Sequence, residues 1–168
     1  MLTVVGKDRP GIVARLSHAL YEGGCNLGEA SMLYLGGNFT IMLMVQFTGN
    51  ERQLGELVAP VCESLGLRLH VDRIEGALHR HPAPDVRVTV AGADRPGIVA
   101  KVTGVLAEAG LNILNLDSAV AGSEDAPIYI MHIEGQAREG IEPLRAALDI
   151  VNREGIEASL TPMDTVIG

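Results

Sequence analysis

Apolar and polar residues alternate along this chain with two periods, one of two residues and one of about four. A period of two is typical of a half-buried strand, and a period near four is typical of an amphipathic helix. The expected hairpin turn is Gly36-Gly37, because a glycine pair allows the positive φ angles of a tight turn. In chain order, the pattern predicts strand 2–6, a helix from Pro10 to about Glu22, a hairpin over 27–47, a helix that follows Asn50 and ends at Gly66, and strand 67–74.

A seven-residue segment, Asp8–Ala14, returns unchanged at Asp94–Ala100, an offset of 86 residues (94 − 8 = 86). About half of positions 2–28 are identical in the second copy, so two homologous units are expected. The second unit is predicted to contain strand 86–92, a helix from Pro96 to about Ala109, strands 112–121 and 128–134, a helix carrying Ile141 to Val151, and strand 156–162. The apolar stripe of its first helix is expected to be Val99, Val102, Leu106 and Ala109. The predicted fold class is α+β, with two ferredoxin-like β-α-β-β-α-β units whose antiparallel sheets are packed by helices.

The repeat also predicts the domain organisation. A first domain is expected over 1–74, a linker over 75–85, and a second domain over 86–168. Prolines in the linker favour an extended and fairly stiff connection. The tip of the second hairpin, over 121–127, is expected to be longer than that of the first and acidic.

The repeated segment joins a strand to a helix, and its residues suit a tight loop and a helix start. Pro10 has a φ angle close to the helical value and lacks an N–H that a first turn cannot use, so it is expected at the first helical position. Asp8 is expected to cap the helix with its carboxylate. Gly11 has no side chain, which would leave the nearby amides approachable. Since helix N-termini attract carboxylates and phosphates, each segment is a candidate anion or amino-acid site; the alternative is a helix start and nothing more.

Composition narrows the classes of function. The 168 residues are 47% hydrophobic and only 3% aromatic, and the net charge is −8. Direct binding to nucleic acid relies on clustered basic residues, so we expect no such binding by this chain. No apolar run reaches the length of a membrane span. Met1 is followed directly by a predicted strand, so we expect no targeting leader. Cys25 and Cys62 are interpreted as small hydrophobic residues in a reducing compartment, which favours a cytoplasmic location.

No catalytic or metal-binding constellation stands out. His79 and His81 lie in the linker, where a metal site would need more ligands at better spacing. There is no nucleophile elbow, no phosphate-binding Walker loop and no Cys-x-x-Cys. We therefore expect no enzyme activity, no cofactor and no bound metal.

The repeated segments and the glycine-asparagine motif that follows each of them resemble ACT domains, the small-molecule-sensing modules of amino-acid metabolism. The resemblance is carried by Asp8–Val13 with Gly24-Cys25-Asn26, and by 94–99 with Gly110-Leu111-Asn112. It covers nearly the whole chain, and the element order agrees. Within that family, the chain most resembles the glycine cleavage system transcriptional repressor group, which has two ACT units and no other domain.

The resemblance implies a non-catalytic regulator in the control of amino-acid metabolism of the glycine type. It implies a small amino-acid effector, such as glycine, and a protein partner, such as a transcriptional activator or a metabolic enzyme. ACT units commonly pair, so a homodimer is one expected assembly. In the implied sites, loop and helix-start amides hold the ligand carboxylate and the asparagine holds its amino group. By motif match the two candidate ligand sites are Asp8, Arg9, Pro10, Gly11, Ile12 and Asn26, and Asp94, Arg95, Pro96, Gly97, Ile98 and Asn112.

Three other functions compete with this reading. The chain could be the regulatory subunit of an amino-acid metabolic enzyme. Formyltetrahydrofolate deformylase carries a similar ACT unit, but its catalytic domain would require many more residues than these. Acylphosphatase shares the fold class and uses the same loop as a phosphate cradle. Here Arg9 lies beside Asp8, and Pro10 removes a donor, so an acylphosphatase-like enzyme is the less favoured alternative.

Overall fold

The computed structural model describes residues 1–75, 82–93, 96–123 and 126–163. The chain divides into two compact units, Met1–Arg80 and His81–Gly168. The first unit contains β1 (Leu2–Lys7), α1 (Ile12–Glu22), β2 (Asn26–Leu35), β3 (Asn38–Gln46), α2 (Glu51–Leu65) and β4 (Arg68–Val71). The second contains β5 (Val86–Ala93), α3 (Ile98–Glu108), β6 (Leu111–Ser123), β7 (Ala126–Ala137), α4 (Ile141–Arg153) and β8 (Glu157–Pro162).

Each unit forms one four-stranded antiparallel sheet, in the order β2-β3-β1-β4 in the first and β6-β7-β5-β8 in the second. The predicted ferredoxin-like α+β fold is therefore confirmed. In both units the first strand is central, because it pairs with the third and the fourth. The loop that follows this central strand consequently opens at the end of the sheet, beside the start of a helix.

The helices pack on one face of each sheet, and each unit has its own core. In the first unit, alternate residues of β1 and β3 meet the apolar stripes of both helices. The fully buried members are Leu2, Val4, Leu16, Leu20 and Val58. In the second unit the corresponding members include Val86, Val88, Val90, Val102, Leu106, Met131, Ile133, Leu144 and Val151. None of the described residues with a polar or charged side chain is buried.

Turn chemistry explains where several elements end. Gly36 and Gly37 have φ angles of 57° and 77°, the two positive values that a two-residue hairpin needs, so the predicted turn is confirmed. Asn50 caps α2 through a reciprocal pair of hydrogen bonds with Gln53. Gly66, with φ 66°, ends α2 where the sequence places the end.

Four expectations about the elements are wrong. The helices α1 and α3 begin at Ile12 and Ile98, two residues after the prolines, because a left-handed glycine intervenes. Val99, expected in the α3 stripe, is 36% exposed, and Ile98 is buried in its place. The strand predicted over 67–74 is limited to Arg68–Val71, the four residues that pair with β1. The second hairpin pairs out to Ser123 and Ala126, so strand pairing extends into the segment 121–127 that was expected to be unpaired.

Candidate functional site

The loop between β1 and α1 ends at a glycine whose conformation sets the start of the helix. Gly11 is the N-cap of α1 and has φ 87°, a left-handed value that residues with a Cβ rarely adopt. No side chain caps this helix. The expectations that Pro10 is the first helical residue and that Asp8 caps it are therefore wrong. Instead, the Asp8 amide donates to the Gly37 carbonyl oxygen at 3.3 Å, which holds the loop against the β2–β3 turn.

The start of α1 can serve as an anion-binding surface because its first amides have no partner within the helix. The first intrahelical bond runs from the Arg15 amide to the Gly11 carbonyl oxygen at 3.0 Å. In any α-helix the amides before that point need another acceptor. Asp8, Arg9, Pro10 and Gly11 are all exposed. Ile12 is only 2% exposed, so its side chain belongs to the core and only its backbone can face a ligand.

A shallow cavity of about 240 Å³ lies beside this helix start. Its lining joins the loop and the first turn of α1 to the neighbouring strands β2 and β3. Met32 of β2 and Phe39 of β3 provide an apolar wall opposite the helix. The full lining is Asp8, Arg9, Gly11, Ile12, Val13, Ala14, Met32 and Phe39. The cavity therefore combines exposed loop groups and a helix N-terminus with one apolar side.

The second unit repeats the helix start. Gly97 is the N-cap of α3 with φ 89°, no side chain caps the helix, and the Lys101 amide donates to the Gly97 carbonyl oxygen at 2.9 Å. Pro96 and Gly97 are exposed, whereas Ile98 is 6% exposed and belongs to the core. Two predicted site residues, Asp94 and Arg95, lie outside the described residues.

The cavity beside α3 differs from that beside α1. It measures about 200 Å³ and opens between the start of α3 and the end of α4, with Pro96, Gly97, Ile98, Lys101, Glu154, Gly155 and Ile156 as its lining. Lys101 and Glu154 form an ion pair at its side. In the first unit, Arg15 occupies the position of Lys101 and donates to the Ser64 hydroxyl at 2.8 Å. The two helix starts are thus alike, but the side chains around them are not.

The two predicted asparagines are not brought to these loops. Asn26 opens β2 at the far end of α1, where its side-chain amide lies 3.5 Å from the Gln46 side-chain oxygen across the strand pair. The 11 residues of α1 separate it from Gly11, a span of about 16 Å at 1.5 Å per residue. Asn112 has the equivalent place, opposite Gln136. Within one unit, a single small amino acid therefore cannot contact both the loop and the asparagine.

The titratable groups of the described residues offer no catalytic arrangement. Burial raises the pKa of the Cys25 thiol and of the Cys62 thiol, and the Glu63 carboxylate raises the pKa of Cys62 further. A raised pKa keeps both thiols protonated near neutral pH. No group of three or more potential metal ligands occurs in the part of the chain that the structure describes. None of the described helices is long and apolar enough to cross a membrane.

Comparison with known proteins identifies the two units. Residues 1–72 and residues 86–151 each match a family model described as the ACT domain. The chain belongs to the ACT-domain family. Its two ACT domains, which are regulatory modules, occur in tandem. In each domain the loop meets the helix at a glycine, which is Gly11 in the first and Gly97 in the second.

Relatives cover most of the chain. The glycine cleavage system transcriptional repressor of Escherichia coli (strain K12) is a homologue, 29% identical over 135 residues, which is 80% of this chain and 71% of the repressor. A protein from Galdieria sulphuraria, described as unknown, has a crystal structure with a TM-score of 0.76 and 27% identity over 97% of this chain and 96% of that one. A putative glycine cleavage system transcriptional repressor superimposes with a TM-score of 0.73 over 98% and 96% of the two chains; at 20% identity it shows the common fold.

The sequence predicts the two loops but not the surfaces around them. Met32 and Phe39 lie in the predicted hairpin, but hydrophobic periodicity does not show which loop a strand end lies beside. The Lys101–Glu154 pair joins two helices that are far apart in the sequence. In the sequence, the replacement of Arg15 by Lys101 at equivalent positions of the repeat is the sign that these two surfaces differ.

Proposed function

We propose that this tandem ACT protein is a non-catalytic regulator that binds a small amino acid, with glycine as the first candidate. In this proposal it acts through a protein partner, such as a transcriptional activator or a metabolic enzyme, in the control of glycine-type amino-acid metabolism. The observation that carries the proposal is the repeated helix start at Gly11 and Gly97. Both lack a side-chain cap, and both border a cavity.

The proposed contact is between the ligand carboxylate and the amides of the first helical turn. A helix N-terminus stabilises a carboxylate by roughly 0.3–1 kcal/mol at an exposed site and by up to about 2 kcal/mol when partly buried. Additional hydrogen bonds from the loop contribute about 1 kcal/mol each. These terms favour an affinity in the micromolar to millimolar range. Such an affinity suits a sensor whose occupancy follows the concentration of a metabolite.

The residues that we propose to contact the ligand are fewer than those that the motif match implies. It contains the exposed loop residues Asp8, Arg9, Pro10 and Gly11 and the backbone of Ile12, with Pro96, Gly97 and the backbone of Ile98 in the second domain. Asn26 and Asn112 are left out because they lie at the opposite end of the helix. Asp94 and Arg95, which lie outside the described residues, are included only because they match the repeated segment.

Regulation through a protein partner is supported by charge. A chain with net charge −8 repels the phosphate backbone of nucleic acids. The homologous repressor is named for its action on transcription. A DNA-binding partner would reconcile these two observations, and an amino-acid metabolic enzyme is the other partner class that the proposal includes.

The test is a thermal-shift screen of the purified protein against the common amino acids, with glycinamide as a matched control. Binding to the folded state raises its stability by about 2.7 kcal/mol when the ligand is at 100 times its Kd. We expect glycine or another short amino acid to raise Tm in a concentration-dependent way. Glycinamide should have little effect because it lacks the carboxylate. The proposal fails if no amino acid raises Tm, or if glycinamide is as effective as glycine.

A further inference from the structure

An ion pair between Lys101 and Glu154 lies beside the cavity at the start of α3. Among the described residues that line this cavity, only these two carry a charge. The others are small or apolar, namely Pro96, Gly97, Ile98, Gly155 and Ile156. Pockets for small molecules typically combine apolar walls with a few polar groups at set positions. The cavity measures about 200 Å³, below the roughly 300–1,000 Å³ that is typical of pockets for drug-sized ligands, so it suits a ligand of few atoms.

Stability does not explain where these two charges lie. Lys101 is the fourth residue of α3, close to the positive end of that helix dipole. Glu154 is the C-cap of α4, at the negative end of the other helix dipole. Each charge therefore lies at the helix end that disfavours it. The two side chains are 41% and 44% exposed, and ion pairs with such exposure contribute little to folding.

The first unit has a different residue at the position of Glu154. A left-handed glycine follows the second helix of each unit, Gly66 with φ 66° and Gly155 with φ 81°. The residue before Gly66 is Leu65, which is buried in the core, whereas the residue before Gly155 is Glu154. The carboxylate beside the cavity is therefore a feature of the second unit, and the repeat alone does not account for it.

We propose that Lys101 and Glu154 determine the ligand specificity of the second domain, whose cavity accepts only a zwitterion such as a small α-amino acid. This inference rests on the proposed function, because it takes the amino acid to bind at the start of α3. The ammonium group of Lys101 binds the carboxylate of the ligand, and the Glu154 carboxylate accepts a hydrogen bond from the amino group of the ligand. The ligand thereby replaces one ion pair of the protein by two.

A ligand with a single charge cannot satisfy both side chains. A simple carboxylate competes with Glu154 for the ammonium group of Lys101, and a simple amine competes with Lys101 for the Glu154 carboxylate. An α-amino acid carries both charges a short distance apart, so it gives each side chain a new partner. Glu154 also supplies the contact to the amino group that Asn112 cannot make, since Asn112 follows the far end of α3.

The experiment titrates three small molecules into the isotope-labelled full chain and follows the backbone amides by two-dimensional NMR. Glycine carries both charges, acetate lacks the ammonium group, and glycinamide lacks the carboxylate. The amide signal of Gly155, which lines the second cavity, reports binding to the second domain. The amide signal of Gly11, which lines the first cavity, reports binding to the first domain. One titration therefore gives a separate Kd for each site.

Four variants of the full chain are compared. Glu154→Gln and Lys101→Gln each remove one charge of the pair and keep a polar side chain. Glu142→Gln and Arg145→Gln are the matched controls, because they remove the same charges from an exposed pair on α4 that is not part of the cavity lining. Tm and far-UV circular dichroism establish that each variant is folded. The Tm of Glu154→Gln and of Lys101→Gln should be unchanged or higher, since each removes a charge from the helix end that disfavours it.

At the second site, we expect the unaltered chain to bind glycine about tenfold more tightly than acetate or glycinamide. Glu154→Gln should weaken glycine binding about tenfold and leave acetate binding unchanged or tighter, because the competing carboxylate is gone. Lys101→Gln should weaken glycine binding to a similar extent and give acetate no gain. The control variants should bind as the unaltered chain does, and the Gly11 signal should respond to glycine equally in all of them.

The inference is overturned if glycine does not move the Gly155 signal, or if acetate binds the second site as tightly as glycine. It is also overturned if Glu142→Gln weakens glycine binding as much as Glu154→Gln does. If Glu154→Gln keeps the preference for glycine but lowers Tm, the pair is structural and the inference fails. In each case the proposed function stands as long as an amino acid binds at Gly11, whereas a chain that binds no amino acid at either site contradicts both.

Discussion

At the scale of single residues, Gly11 and Gly97 determine the geometry of the candidate sites. The sequence predicts both glycines to be important because they lack side chains. The structure adds that each has a positive φ angle of nearly 90°. A Cβ built at either position meets no atom within 4 Å, so the requirement for glycine comes from the backbone conformation and not from crowding. No sequence pattern distinguishes those two reasons.

This distinction predicts opposite effects for two glycine substitutions in one domain. Gly97→Ala should lower the free energy of unfolding by about 1–2 kcal/mol, because an L-residue is strained in the left-handed region. Gly104→Ala, inside α3 and with open space around its Cβ, should raise it by about 0.5–1 kcal/mol. Urea unfolding measures both. If Gly97→Ala raises the free energy of unfolding as Gly104→Ala does, the left-handed conformation of Gly97 is contradicted.

Cys62 should make the protein less stable at alkaline pH. Burial, followed by the Glu63 carboxylate, raises the pKa of its thiol in the folded state. Below the thiol pKa of the unfolded chain, about 8.5, both states are protonated and the stability is unaffected. As pH rises above that value the unfolded chain loses the proton first, so the free energy of unfolding falls. The measurement is urea unfolding at pH values between about 8 and about 10. Over this range Cys62→Ala should lose less stability than the unaltered chain. An equal loss would mean that other groups cause the effect.

At the scale of elements, local sequence patterns predict which helices and strands form, and pairing between strands determines how far the strands extend. The α1 stripe Ile12, Leu16 and Leu20 is buried as its spacing predicts. The turn at Gly36-Gly37 follows from the residues themselves. The length of β4, however, depends on where β1 stops pairing with it, and the extent of β6 depends on β7. These are non-local contacts, which hydrophobic periodicity does not contain.

The position of Asn26 is the clearest example, and it yields a prediction. Asn26 follows the repeated segment closely in the sequence, but α1 lies between them and takes the chain to the other end of the sheet. Asn26→Ala and Asn112→Ala should therefore leave the affinity for the amino acid unchanged. As exposed or half-buried strand residues, they should change stability by no more than about 0.5 kcal/mol. Calorimetric titration tests this, and a folded Asn26→Ala variant that no longer binds would move the site away from the loop.

At the scale of the whole molecule, the chain is two ACT domains with separate cores and an acidic surplus. The repeat, its 86-residue offset and the element order are enough to predict this organisation from the sequence. The domain boundaries at 74 and 86 stay a prediction. The sequence does not predict that Met32, Leu33, Tyr34 and Leu35 are exposed on β2, because hydrophobic patterning shows that a strand has two apolar faces but not that they are left uncovered.

The charge of the whole molecule predicts that the isolated protein does not bind DNA. Net charge −8 and the absence of a basic stripe in the sequence leave little to neutralise the phosphates. Fluorescence anisotropy with a labelled duplex, at about 150 mM salt, should show no binding at micromolar protein. Sequence-selective binding by the purified chain alone would contradict regulation through a protein partner.

The central claim, that the uncapped helix starts bind an amino-acid carboxylate, is tested most directly by calorimetric titration of glycine into Ala14→Glu, Ala100→Glu and the double variant. Both alanines are exposed in the first turns of α1 and α3, three residues after the glycine N-caps. A glutamate there competes for the free amides and stabilises the helix by roughly 0.3–1 kcal/mol, so lost binding cannot be due to unfolding. We expect each single variant to lose its own domain's site, and the double variant to lose all binding with an unchanged or higher Tm. A double variant that binds glycine as the unaltered chain does would contradict the claim.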